Sequence, residues 1–234
     1  MNLFRYPSSL YHFVKRLGDF LAALIGLIVI SPFLIPIMIA LLLTGEHHVF
    51  YFQKRIGYKN RMFDIWKFAT MLKNSPNMGT GSLTVRNDPR VTPVGKYLRQ
   101  SKVNELPQLF NVLIGNMSFV GPRPQMMVDF KAYPEHVQER IYDLKPGITG
   151  IGSIIFRDEE KLMTDTKMPV KEFYKQHIAP YKGEVELWYQ EHASIGNDFK
   201  LLILTFWVIV FPESDLLYRW FPTLPPRPDF SALG

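Results

Sequence analysis

The chain has 234 residues, 47% of them apolar, and a formal net charge of +6. That length accommodates one compact domain with appendages, and the sequence shows neither an internal repeat nor a low-complexity tract. The absence of cysteine excludes disulfides, thiol nucleophiles and cysteine-ligated metal.

In chain order, the first element is an apolar run over 20–43, uncharged after Asp19. As a straight helix its length of about 36 Å is enough to cross a hydrocarbon core of roughly 30 Å. It is too long for a cleavable leader and lacks a clear small-residue cleavage site. Two features favour a hairpin over a single span. Pro32 and Pro36 each remove a helix hydrogen bond and clash with the preceding turn, which kinks or breaks the helix. Split there, the arms 17–31 and 32–43 reach only about 22 and 18 Å, neither enough to cross alone. Basic residues also flank both ends, with Arg5, Lys15 and Arg16 before the run and Lys54, Arg55, Lys59 and Arg61 after it. The preference of such residues for the cytoplasmic side puts both ends there. Residues 1–46 therefore read as a membrane-associated re-entrant helix broken at Ser31 and Pro32, with the Ser31 hydroxyl serving the exposed backbone at the bend.

Residues 47–200 read as a separate domain on the cytoplasmic side of that anchor. The pattern over 49–68 is β-like, with a turn around Gly57 to Asn60, and predicts a hairpin carrying Lys67 near its end. From 50 to 102 there are eleven Lys and Arg against two acids, Asp64 and Asp88. Such a block suits anionic lipid headgroups, phosphorylated substrates or nucleic acid. Nucleic acid is the weakest of these, since no helix-turn-helix, zinc or ribonucleoprotein motif accompanies the charge. Residues 73–90, rich in Asn, Gly, Ser and Pro, predict a loop carrying Arg86 and Arg90. Val94–Leu98 begins a short helix that delivers Arg99. Leu106, Leu109, Phe110 and Leu113 recur at helical spacing, so a helix is expected over about 105–114, with Pro107 in its first turn and Gly115 as its stop. That places Asn104 and Glu105 at a helix N-terminus, where free N–H groups and the dipole favour anions. Gly-Pro-Arg-Pro at 121–124 then holds Arg123 on a stiff, non-helical segment.

Further along, 125–143 is a polar helical segment interrupted at Pro134, 145–150 is turn chemistry, and Ile151 to Phe156 looks strand-like before Arg157-Asp158-Glu159-Glu160. Residues 169–197 look like surface helices. Residues 201–234 form a last unit. Its apolar run Leu201 to Phe211 is too short to span and is ended by Pro212, while Trp207 and Trp220 suit a headgroup boundary, so an interfacial helix is expected. The six histidines show no metal spacing. The fold class is α/β: a small, mostly helical body with a short β-hairpin, anchored by an N-terminal re-entrant membrane helix hairpin and a C-terminal interfacial helix.

Three strings together, Leu-Pro-Gln-Leu-Phe-Asn-Val-Leu at 106–113, Ser-Phe-Val-Gly-Pro-Arg-Pro at 118–124 and Lys-Pro-Gly-Ile-Thr-Gly at 145–150, resemble the signature of the bacterial sugar transferases, the monotopic phosphoglycosyl transferases that start glycan assembly on a polyprenyl carrier. The resemblance covers roughly residues 12 to 212. It implies transfer of a sugar-1-phosphate from a nucleotide diphosphate-sugar, usually UDP-linked, to polyprenyl (undecaprenyl) phosphate, with release of UMP and a need for Mg²⁺. The implied setting is the bacterial inner membrane and its lipids, with the catalytic domain facing the cytoplasm and no nucleic acid partner. A homodimer is compatible with it. The family's re-entrant helix also carries a Ser-Pro break.

In the family pattern an Asp-Glu pair stands where this chain has Asn104-Glu105. The family Asp attacks the phosphate and the Glu assists with the metal. Glu105 matches and is the metal candidate; Asn104 does not match, and an amide is a poor nucleophile. Three readings stay open. The lipid phosphate attacks directly, with Asn104 hydrogen-bonding phosphate; another carboxylate such as Asp158 or Glu159 substitutes; or the chain is an inactive membrane adaptor or sugar-nucleotide-binding protein. Lys67, Arg90, Arg99, Arg123 and Arg157 are the candidate phosphate and substrate contacts, and retained activity is the favoured reading.

Overall fold

The structure is a computed structural model that describes residues 7–78 and 87–230; Arg5 and Arg86 lie outside the described residues. Ser8 caps the first helix, α1 (Ser9–Leu43), its hydroxyl accepting the Tyr11 N–H at 3.2 Å. The helix runs through Pro32 and Pro36 as one element, so Ser31-Pro32 does not interrupt its helical structure. A local replacement explains part of this. Pro32 lacks the N–H that the Ile28 carbonyl would accept, and the Ser31 hydroxyl donates to that same carbonyl at 2.9 Å.

α1 is long and apolar enough to cross a membrane. It nevertheless touches the body at both ends and in between. Near its start, Lys15 pairs with Asp198 at 2.6 Å and the Tyr11 hydroxyl donates to the same carboxylate at 3.1 Å. Arg16 donates to the Val112 and Leu113 carbonyls at 2.7 and 2.8 Å, and Asp19 accepts the Phe119 N–H at 3.1 Å. Ala23 is buried with Ile65, Val112 and Met117, and Leu34 and Leu41 with Phe68 and Leu98. The remaining side of the helix, including Phe13, Ile25, Ile28, Phe33 and Leu43, is exposed.

The hairpin forms as its alternation predicts. β1 (Phe50–Ile56) pairs antiparallel with β2 (Met62–Phe68), and its register sets Tyr51 opposite Lys67, Gln53 opposite Ile65 and Arg55 opposite Phe63. α2 (Pro93–Gln100) starts with proline at its first position under a Thr92 cap. A 3₁₀ turn, Val103–Glu105, leads to α3 (Gln108–Ile114). The helix thus begins later than its apolar spacing suggests, and Asn104 and Glu105 sit in the turn before it rather than on its N-terminus. Gly115, at φ 92°, ends α3 in the left-handed conformation that glycine adopts without strain.

β3 (Ser118–Val120) and β4 (Gly147–Thr149) form a second, parallel pair. Between them lie α4 (Met127–Phe130) and α5 (Glu135–Arg140), the helical segment interrupted at Pro134. Next comes α6 (Ile151–Ile155), a helix where a strand was expected. Its buried Ile151, Ile154 and Ile155 sit at i, i+3 and i+4, a spacing that a short unbroken apolar run does not distinguish from a buried strand. α7 (Glu159–Asp165), α8 (Val170–Phe173), a π turn over Tyr174–Ile178 and α9 (Ala179–His192) follow.

α9 is not a surface helix. Most of it is buried, including Lys182 and Gln190, because Lys182 pairs with Glu159 at 2.7 Å and Gln190 donates to the Arg140 and Ile141 carbonyls. α10 (Ile195–Val210) turns Leu201, Leu204 and Val208 to the core, against β3, β4 and α6, and leaves Phe199, Ile203, Phe206 and Val210 exposed. α11 (Leu216–Trp220) closes the described chain.

Candidate active site

Two elements converge on Glu105. The end of β2 presents Lys67, whose ammonium lies 3.1 Å from Glu105 Oε1. The Gly-Pro-Arg-Pro turn presents Arg123, whose guanidinium lies 2.9 Å from the same oxygen. Among the described residues both side-chain contacts fall on Oε1. Arg55, two residues along the same β1 face from Gln53, donates to Gln53 Oε1 at 3.0 Å and to the Pro124 carbonyl at 3.3 Å. Arg55, Lys67, Gln108 and Arg123 line one cleft with Ile65 and Pro124.

The turn that carries Arg123 is built without slack. Gly121 donates to the Thr149 carbonyl at 3.0 Å and Gly147 to the Pro122 carbonyl at 2.9 Å. A Cβ at Gly121 would collide with the Lys145 carbonyl oxygen, so only glycine lets the two segments meet. The buried Tyr142 hydroxyl donates to the Arg123 carbonyl at 2.9 Å and accepts the Gln125 N–H at 2.8 Å.

Electrostatics follow from three cations around one carboxylate. Burial alone would raise the Glu105 pKa, but Arg123, Lys67 and Lys102 outweigh it and hold the group well below the usual carboxylate range. Burial pushes Lys67 down to about 8; Glu105 opposes this, and Arg123 and Arg55 add to it. Arg123 is raised, with Glu105 as the leading cause. The cleft thus holds more positive than negative charge in a partly desolvated setting, which is what an oligophosphate needs.

The other sequence-predicted cations have partners elsewhere. Arg90 is buried and forks onto Asp88 at 2.5 and 2.8 Å, while donating to the Ser75 and Met78 carbonyls, so it staples its own loop. Arg99 pairs with Glu160 at 3.1 Å. Arg157 donates to the Val208 carbonyl near the end of α10. Asp158 precedes α7, and Glu159 is held by Lys182.

Residues 10–212 match the profile of the family described as bacterial sugar transferase. The chain belongs to the bacterial sugar transferase family. Relatives include the UDP-N-acetylgalactosamine-undecaprenyl-phosphate N-acetylgalactosaminephosphotransferase of Aeromonas hydrophila, 37% identical over 151 residues, covering 64% of this chain and 36% of the relative. The UDP-glucose:undecaprenyl-phosphate glucose-1-phosphate transferase of Klebsiella pneumoniae is 36% identical over 196 residues, 82% of this chain and 39% of that one. The galactosyl transferase CpsE of Streptococcus agalactiae is 31% identical over 223 residues, 90% of this chain and 44% of that one. The chain spans about two fifths of the length of these relatives.

In this chain, Arg55 and Gln108 are members of the cleft that the sequence analysis did not single out. The signal for Arg55 was period-2 alternation, which puts residues 51, 53 and 55 on the face shared by 63, 65 and 67. Gln108 carried no such signal, because it lies among the apolar positions of α3. Asn104 and Gln108 are 5% and 2% exposed, and Asn104 Oδ1 and Gln108 Nε2 have no hydrogen-bond partner among the described residues. Buried polar atoms in that state call for a water, ion or ligand to satisfy them. Among the described residues no three carboxylate or histidine side chains gather as a metal cage. Glu105, held ionised, is nonetheless a fitting oxygen donor for Mg²⁺, which commonly takes one or two protein oxygens and fills its remaining positions with water and substrate phosphate.

Proposed function

We propose that this chain moves a sugar-1-phosphate from a nucleotide diphosphate-sugar, UDP-linked, to undecaprenyl phosphate and releases UMP, as the first step in building an exopolysaccharide, capsule, O-antigen or glycoprotein glycan. The observation that carries this reading is the ionised Glu105 held between Lys67 and Arg123, two cations that line one cleft with Arg55. The names of the relatives support the acceptor and the donor class.

Arg55, Lys67 and Arg123 neutralise and orient the diphosphate, and the planar Arg123 fork suits paired phosphate oxygens. The phosphate oxygen of the lipid attacks the phosphorus that bears the sugar, the bond between that phosphorus and the oxygen bridging the two phosphorus centres breaks, and UMP leaves. Asn104 offers an amide for hydrogen bonding where a carboxylate would serve as nucleophile, so displacement is direct. Mg²⁺, held by Glu105, would supply charge neutralisation for the diphosphate.

The membrane mode belongs to the same proposal. α1, helical throughout but bent at Pro32 and Pro36, enters one leaflet of the bacterial inner membrane and returns, so that both ends and the body face the cytoplasm. The exposed apolar side of α10 rests at the headgroup boundary. Packing of both ends of α1 against one body supports this.

A second reading, a non-catalytic adaptor that binds sugar nucleotide, is favoured by Asn104 alone. One experiment separates the two: purified protein in detergent, undecaprenyl phosphate, and a panel of UDP-sugars with UMP detection. Mg²⁺-dependent UMP from at least one sugar is expected. Folded protein that binds a sugar nucleotide but releases no UMP from any donor establishes the adaptor.

A further inference from the structure

The chemistry proposed above makes no use of Glu186, a carboxylate only 1% exposed on α9. It lies behind the Gly-Pro-Arg-Pro turn. Its Oε1 accepts the backbone N–H of Arg123 at 3.4 Å, and its Oε2 is buried with no partner among the described residues. Space for it comes from Gly152 on α6, where a Cβ would collide with Oε1. Tyr142 grips the same residue from the other side through the Arg123 carbonyl. Both backbone polar groups of Arg123 are therefore held by buried side chains, while its guanidinium reaches Glu105.

We propose that Glu186 is a positioning residue of this site: it fixes the Arg123 backbone so that the guanidinium stays on Glu105 and at the mouth of the phosphate cleft. The part concerning phosphate rests on the function proposed above.

A neutral side chain would hold one N–H equally well, so the choice of a carboxyl has a consequence. The groups around it are Lys182 on its own helix, Arg123 in the turn, Glu159 in α7, and the phenols of Tyr133 and Tyr142; α6 contributes only Gly152 at the contact. Lys182 is already engaged by Glu159 at 2.7 Å. Burial pushes the Glu186 carboxyl up to about 7, against the opposing pull of the Arg123 N–H, Lys182 and the Arg123 guanidinium. Below that pH the carboxyl is neutral and the Arg123 charge is available to a ligand. Above it a second anion stands behind Arg123 and competes with the diphosphate.

The test has two arms on the full chain. Between 121 and 125 only Gly121, Arg123 and Gln125 carry a backbone N–H, so hydrogen exchange over this turn reads Arg123 with little interference. Glu186→Ala and Gly152→Ala should each lower protection there about tenfold, and Glu186→Gln should keep it. Unchanged protection in folded Glu186→Ala overturns the proposal. In the second arm UDP-glucose and UDP-N-acetylglucosamine, whose diphosphates do not titrate near neutrality, are titrated into each protein from pH 6 to 8. Native affinity should fall severalfold more steeply with pH than that of Glu186→Gln. Equal slopes overturn the role given to the carboxyl proton. If neither protein binds at any pH, the phosphate-cleft reading is lost, and the exchange arm still decides whether Glu186 positions Arg123.

Discussion

Glu105 is the residue on which the site's charges converge, and its replacement separates stability from chemistry. In Glu105→Gln, Lys67 and Arg123 face a neutral amide in a partly buried cleft, which should cost about 1–3 kcal/mol of stability. UMP release should fall at least about a hundredfold, the scale for removing a preorganised electrostatic contact. Full activity in that variant refutes the site. Arg123→Lys keeps the charge and loses the fork, so a fall in rate of roughly tenfold is expected with the fold intact. The direct displacement proposed on the strength of Asn104 has its own test: native protein quenched during turnover with labelled UDP-sugar should carry no covalent label, and retained label refutes it. Glu186 gives a stability prediction with a definite sign. Its carboxyl titrates near 7 in the folded chain against an ordinary value of 4.5, so the folded state binds that proton more tightly. The contribution is fully present below about 4.5 and is lost as pH rises through about 7, on the order of 3 kcal/mol in all. The melting midpoint of native protein relative to Glu186→Gln should decline from pH 5 to 8; a constant difference contradicts it. Lys67, Glu105 and Arg123 are legible in the sequence because their motifs carry charge at distinctive positions. Glu186 is not, since nothing in Glu-Val-Glu-Leu-Trp-Tyr tells a buried acid from a solvated one.

At the scale of elements, legibility follows the strength of local periodicity. The hairpin of β1 and β2 and the cap of α2 are written in alternation and in Thr92-Pro93. The parallel pair of β3 and β4 is three residues long on each side, too short for a period, and its pairing depends on 121–150 folding back through two glycines. α9 hides its burial because Lys182 and Glu186, which break an apolar stripe, are themselves inside. α1 is the instructive case. Two prolines predict a break, yet the Ser31 hydroxyl supplies the donor that Pro32 removes. An unpartnered carbonyl in an apolar medium costs several kcal/mol, so Ser31→Ala should destabilise α1 in membranes or detergent. Pro32→Ala restores the N–H to the Ile28 carbonyl, so adding it to Ser31→Ala should recover most of the loss. A double variant no better than Ser31→Ala would show that the hydroxyl matters for another reason.

For the molecule as a whole, the question is where a bilayer can lie. Tyr11 and Leu41 are thirty residues apart, about 45 Å along a straight helix, yet each is buried against the body. If α1 crossed the hydrocarbon with one of these residues on each side, the body would have to straddle it. The cleft lined by Arg55, Lys67 and Arg123 would then stand close to lipid tails, where cations are strongly disfavoured. A helix entering and leaving the same leaflet avoids this. In the proposed arrangement such a helix would bring its exposed apolar side and that of α10 to the lipid, and would keep the cations at headgroup level, where a polyprenyl phosphate would present its phosphate. The chain has no cysteine, so single labels can be placed cleanly. Ser8 and Thr44 flank α1 and are exposed. In Ser8→Cys and Thr44→Cys, a membrane-impermeant maleimide should label both positions in inverted vesicles and neither in intact spheroplasts. Labelling of the two positions from opposite sides would establish a span, and with it the carrier phosphate would have to reach the cleft by some path other than lateral diffusion beneath α1.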